Sequence, residues 1–381
     1  SRRMKRSPTR RSFIAAAGTL TLAGCLDAGS NESTPEAPPT ATPATGTDPG
    51  QSTTKETRWP PTASETLPLP MAPETLQERA ISGGPPKDGI PSIDDPSFVD
   101  PAGGDAFLDP GDPVFGLAMG GERKAYPQNI MVSHEICNDI VDGRPVSVTY
   151  CPLTGTAMGF ERGETTFGVS GRLVNNNLIM YDRATETWWP QVLATSIPGL
   201  WNDSPSTASL REFRLIWTTW ENWQSVYPET QVLSRDTGFP RSYEIDPYGS
   251  YNPRGGYYAR ESTLFDPAIE DDRHPTKDVF HGVRTASGAS AVHERLLRTE
   301  RVVTGTAGDV PVAFVHDGVL DTDHVYRLPG ADAAVPRPID GGYRLDGETY
   351  AADDLPLDPV QSFDAMWFAW FAFYPSTEVH A

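Results

Sequence analysis

Three residues carry the strongest chemical signal in this sequence. His134 and Cys137 lie three apart in SHEICNDI, and Cys151 ends the strand-like run in SVTYCPLTGTAMGF. If residues 128–138 form a short helix, His134 and Cys137 share one face. Joined by Cys151, they could hold a soft or borderline metal such as copper, zinc or iron. The same residues admit three other chemistries. A Cys137–Cys151 disulfide suits an exported chain. A Cys151 thiolate with His134 as its base is a nucleophile. Two buried cysteines are small hydrophobes and nothing more. Spacing does not choose among the four. In the active readings, Thr154 and Thr156 set hydroxyls beside Cys151 and serve as ligand contacts.

Two further stretches mix amides, carboxylates, guanidinium groups and aromatic faces. Residues 167–191 contain Asn176, Asp182 and Arg183, and residues 234–251 contain Asp236 and Arg241. These suit a polar extracellular ligand such as a sugar or a nucleotide. They suit equally a hydrogen-bonded interface between lobes, and the triple asparagine 175–177 suits a turn with positive φ. No Walker loop, HExxH or GxSxG occurs, so the commonest NTPase and hydrolase classes lack support.

The elements that must position these residues are read from pattern. Residues 114–119 and 123–126 alternate as strands about Gly120-Gly121, and Asp142-Gly143 marks a second hairpin before 145–150. Trp217, Trp220 and Trp223 recur at helical spacing, with Thr218 and Glu221 as a capping box; such a stripe normally faces a core. Each lobe therefore reads as α+β, strand-rich and mostly antiparallel.

The sequence also repeats itself. DPVFGLAMGGERKAYP (112–127) aligns with DVFHGVRTASGASAVH (278–293) at an offset of 166, and WENWQSVYPETQV with WFAWFAFYPSTEV at an offset of 147. The expectation is an internal duplication, with copies at about 108–235 and 275–381, the second shorter by 19 residues in the region matching 152–210. Across the offset His134 meets Glu300, Cys137 meets Val303, Tyr150 meets His316 and Cys151 meets Asp317. On this comparison any chemistry belongs to the first lobe alone.

Composition bounds location and partners. Thr9-Arg10-Arg11-Ser12-Phe13 before a short apolar run, closing in Leu22-Ala23-Gly24-Cys25, is expected to be a twin-arginine lipoprotein signal over 1–24, with Cys25 lipidated. Residues 25–70, rich in Thr, Pro and Ser, read as a disordered stalk. Residues 71–381 read as the globular part, with lobes at about 85–250 and 275–381. The expected partners are a membrane, held through lipid on the outer face, and an unknown extracellular ligand. The net charge of −20 over 381 residues, with no basic stripe, argues against nucleic acid and resembles the salt-adapted surfaces of halophilic archaea.

At HEICND, YCPLTGTA, TFGVSG, MYDR, LSRDTG and WFAWFAFYP the chain resembles the uncharacterised domain-of-unknown-function 3179 family, over roughly residues 85–381. The resemblance implies no established activity. The family pattern commonly reads Y-C-P-L-C-G-T, and Thr154 stands here in place of the second cysteine, so a Cys-x-x-Cys redox pair is not available. The resemblance brings Cys151 forward as the first candidate, with His134 next.

Overall fold

A computed structural model describes residues 59–381. The twin-arginine pair, Cys25 and most of the Thr/Pro/Ser-rich segment lie outside the described residues. Residues 59–70 do not behave as part of a stalk. Trp59 meets Trp189 edge-on at 5.3 Å between ring centroids. Ala63 N donates to Ser209 O at 2.8 Å, and Leu67 N to Ser209 Oγ at 2.8 Å. Trp59, Leu67 and Leu69 pack against the main core, burial that a wholly polar tail could not offer.

The fold is strand-rich and mostly antiparallel, with short helices. Two sheets share one strand order. In the first, Ile216–Thr219 pairs with Pro113–Met119, which pairs with Glu122–Pro127, and Gln231–Leu233 then joins in parallel. In the second, the same places are taken by Ser362–Met366, Val279–Thr285, Gly288–His293 and Glu378–His380, again with only the last strand parallel. The helices Trp220–Val226 and Trp367–Phe373 each press a tryptophan onto a glycine. A Cβ on Gly116 would lie 2.3 Å from the Trp223 ring, and one on Gly282 would lie 2.1 Å from that of Trp370.

Each lobe adds a second antiparallel sheet. Ile136–Val141, Arg144–Cys151 and Thr156–Glu161 set Cys137 opposite Val148 and Cys151 opposite Thr156. Val302–Ala307, Val310–Asp317 and Thr322–Arg327 set Val303 opposite Phe314 and Asp317 opposite Thr322, each 166 positions on. The first lobe then inserts Phe167–Val174, Asn177–Asp182 and Trp188–Pro190. Asn175 and Asn176 turn the first of these hairpins at φ 50° and 61°. The Asp142-Gly143 hairpin is present as expected, both residues at positive φ.

Two local expectations fail. The helix expected over 128–138 is only Gln128–Met131, and Ile136–Val141 is a strand. Its β-branched residues find a ladder on Arg144–Cys151, and Ile93 bridges its other edge. The tryptophan helix starts at Trp220 with Thr219 as N-cap, accepting from Asn222 N, so Thr218 is not the cap. Trp217 therefore stands on a strand. Trp220 and Trp223 are buried, as their spacing suggested.

The lobes share a continuous core in which Met158, Phe160 and Trp189 of one meet Ala365, Met366 and Trp370 of the other. Buried polar contacts cross the same seam. Arg284 donates to Glu212 at 2.6 Å. Arg214 reaches His324, the Thr322 hydroxyl and the Asp323 carbonyl. Met366 N donates to Thr154 O at 3.0 Å, while the Thr218 hydroxyl donates to Leu320 O. Among the described residues no helix is long and apolar enough to cross a membrane.

Candidate functional site

The strand Arg144–Cys151 explains why the two cysteines do not act together. Side chains alternate along a strand, and Cys137 sits opposite Val148, three residues from Cys151. The sulfurs therefore face opposite sides of one sheet. Cys137 joins Val148 and Tyr150 in one apolar cluster; Cys151 joins Met158 and Phe160 in another. Both thiols are free and buried. The proposed disulfide is thus absent from this structure, and no shared metal site with His134 is formed.

His134 is equally committed. It is fully buried; Nδ1 donates to Pro91 O at 2.7 Å, leaving Nε2 to accept from Tyr243 OH at 2.7 Å. Burial lowers its pKa, so the imidazole is neutral and both nitrogens are occupied. It is not placed as a base for Cys151. The Cys151 sulfur accepts from Leu178 N at 3.4 Å and touches Asn176 O at 3.5 Å. Burial, reinforced by the nearby Glu135 carboxyl, pushes its pKa up to about 11. A thiol in that state is a poor nucleophile and a poor metal ligand.

The residues beside it form a closed buried network. Asn177 Nδ2 donates to Thr154 Oγ1 at 3.0 Å and to Gln191 Oε1 at 2.9 Å, and Thr156 Oγ1 donates to Gln191 Oε1 at 2.6 Å. Gln191 returns through Nε2 to Thr149 Oγ1 at 2.9 Å. Thr154 and Thr156 are fully buried and spend their hydroxyls here. Asn176 is stitched to Phe265 through both its carbonyl and its amide. Asp182 caps Thr185 and accepts from Trp189 Nε1 at 3.0 Å. Arg183 pairs with Asp88 and Asp94. Thr154, Thr156, Asn176 and Asp182 thus spend their polar atoms within the fold, while Arg183 stays partly exposed. Asp236 and Arg241 are exposed on their loop, apart from that network.

The open polar surface lies at the seam between the lobes. A cavity of about 330 Å³ is lined by Pro113, Trp217 and Thr219 of the first lobe, Val279, Glu294 and Asp364 of the second, and Tyr251 and Arg254 from the connection. Trp217 and Tyr251 stand against each other with ring centroids 4.7 Å apart. Burial raises the Glu294 pKa against the opposing pull of Arg298, with Asp364 adding to the rise. A second cavity of about 490 Å³ shares Pro113, Tyr251 and Asn252 with the first. Residues 234–251 supply Arg235, Glu244 and Asp246 to it, so that stretch does reach an open site through residues other than Asp236 and Arg241.

Among the described residues, His281, Asp323 and Asp364 form the group of metal-ligating side chains that converges, each offering an atom within 4.8 Å of the others. Sequence reasoning missed it because the three lie on three separate strands. It missed Glu135 as well, a non-glycine residue at φ 60° whose buried carboxyl is pushed up to about 8.

A family model described as a protein of unknown function, DUF3179, matches residues 87–377. No curated protein matches the chain, and neither does any solved structure. The chain belongs to the DUF3179 family.

Proposed function

We propose that this member of the DUF3179 family is a binding protein whose cleft between the lobes takes a neutral, polyhydroxylated ligand of the saccharide type. The observation that carries the reading is the mutually packed aromatic pair Trp217 and Tyr251 lining one solvent-open cavity with Arg254, Arg298, Glu294 and Asp364. Aromatic faces take the apolar side of a sugar ring, and convergent carboxylates and guanidinium groups take its hydroxyls. Charge separates this ligand class from nucleotides. Asp321, Glu294 and Asp364 outnumber Arg254 and Arg298 in the lining of the metal-free cleft, which disfavours a polyanion there. The thiol and metal chemistry expected around Cys151 and His134 is the weaker reading, since neither side chain has a free face.

The two lobes are read as copies from one duplicated unit, on the strength of their shared strand order and the constant offset. Attachment to the outer face of a membrane through Cys25 rests on the Arg10-Arg11 signal and remains part of the proposal, as does export by the twin-arginine route. The reading predicts that neutral oligosaccharides quench tryptophan fluorescence of the protein saturably in high salt. Arg254→Ala and Trp217→Ala should each weaken binding at least about tenfold, the loss of one good contact. Saturable binding of nucleotides with no response to any neutral glycan would sink it, as would glycan binding indifferent to both substitutions.

A further inference from the structure

The His281 cluster occupies a position that the first lobe fills with hydrocarbon. His281 lies opposite Asp364 across two antiparallel strands, where Phe115 lies opposite Trp217 in the first lobe. His316 lies opposite Asp323, where Tyr150 lies opposite Ala157. The offsets of 166 and 147 relate all four pairs of positions. In the first lobe they make a packed aromatic trio: Phe115 sits 4.9 Å from both Tyr150 and Trp217, and Tyr150 sits 5.7 Å from Trp217. The backbone therefore accepts an apolar filling here. The second lobe instead places two imidazoles and two carboxylates here, all buried except the partly exposed Asp364, a choice that opposes stability unless something satisfies them.

We infer that the second lobe binds one divalent cation, zinc or manganese, on His281, Asp323 and Asp364. One nitrogen and two carboxylates form a donor set for a borderline cation and lack the thiolate that would favour copper(I). The surrounding groups are placed as supports. His281 Nε2 meets Ser362 Oγ at 2.9 Å, which fixes the ring and leaves Nδ1 turned to Asp364 Oδ1 at 2.6 Å. A contact of 2.6 Å holds a proton, so a cation would replace that proton at Nδ1 and part the nitrogen from the carboxylate, with Nε2–H then donated to the serine. His316 Nδ1 holds Asp323 Oδ1 at 2.7 Å, the outer-shell tie that orients a ligating carboxylate. The Asp323 and His281 side chains are only 6% and 4% exposed, whereas Asp364 is 24% exposed and lines the cleft. Asp364 is thus the entry side, and solvent or ligand there would complete the coordination.

The site shares Asp364 with the proposed cleft but does not rest on saccharide binding. Its test needs no cleft ligand. The full chain, stripped with chelator, is titrated with zinc chloride and with manganese chloride by calorimetry, with metal content measured after dialysis. One equivalent of either ion, a melting temperature raised by it, and loss of both effects in Asp323→Asn and Asp364→Asn are expected. His316→Ala should weaken binding about 10–100-fold. The pair His281→Phe with Asp364→Trp installs the first-lobe residues, and the folded variant should bind no ion. No binding by the wild-type chain would overturn the inference, assigning the His281–Asp364 contact to a proton. Stoichiometric metal lost in Cys151→Ser but kept in Asp364→Asn would overturn it in favour of the thiols. Loss of saccharide binding with metal binding intact would refute the cleft reading alone.

Discussion

Glu135 shows how surroundings can strain the backbone of a single residue and hold its carboxyl protonated. Its φ of 60° is unusual for a residue with a side chain, and its carboxyl is held near a pKa of about 8 by desolvation. A carboxyl whose folded pKa lies above its unfolded value takes up its proton more tightly when folded. It is neutral in its effect below about pH 4.5 and increasingly destabilising as pH rises towards 8, where the penalty levels off. Glu135→Gln should therefore leave stability at pH 4 almost unchanged and raise it at pH 8, on the order of 4 kcal/mol. Denaturant unfolding of both proteins at the two pH values checks this; equal gains at both would show that the carboxyl is not desolvated. His134 and Cys151 also read as reactive by type, yet each is buried with its polar atoms occupied. Residue type was legible in the sequence. Which face of a strand Cys137 and Cys151 occupy became legible only once 136–141 proved to be a strand.

At the scale of elements, the repeated device is a helix that lays a tryptophan across a glycine of the neighbouring strand. Trp223 and Trp370 each donate Nε1 to the threonine seven residues on, Thr230 at 2.9 Å and Thr377 at 3.1 Å, which locks the ring in place. A methyl group on the glycine has no room to displace it. Gly116→Ala and Gly282→Ala should each destabilise by about 1–3 kcal/mol, the usual range for overpacking. Thermal unfolding of the two variants measures it, and a neutral result at either site would mean that its helix is free to shift. The tryptophan spacing announced these helices correctly except at Trp217. That residue precedes the N-cap, because Thr219 rather than Thr218 accepts from the first turn. Capping-box spacing alone cannot separate adjacent threonines when either could serve.

Across the whole molecule, the seam between lobes is held by burial and by charge. Arg284 and Glu212 are almost wholly enclosed, at 0% and 9% side-chain exposure, and meet at 2.6 Å. Removing one member leaves the other charged and buried. Arg284→Met should cost about 3–5 kcal/mol, and adding Glu212→Leu should recover most of it, since a well-packed apolar pair often replaces a buried ion pair without loss. A double-mutant cycle by denaturant unfolding tests this, and simple additivity of the two substitutions would contradict it. The same seam carries the polar cleft and, on its second-lobe side, the His281 cluster. Both proposed sites therefore depend on how the lobes meet.

The sequence by itself determined the strand-rich antiparallel class, the Gly120-Gly121 and Asp142-Gly143 hairpins, the positive-φ asparagine turn and the family. All of these rest on local pattern, where turn chemistry and alternation leave few choices. It also contained the offset that relates the two sheets. The tertiary structure alone decided that Cys137 and Cys151 face apart, because a strand's partner fixes its register and a register fixes faces. It alone decided that His281, Asp323 and Asp364 converge. They are separated by 41 or more positions in the chain; strand pairing sets His281 opposite Asp364, and the packing of a second sheet brings Asp323 to them.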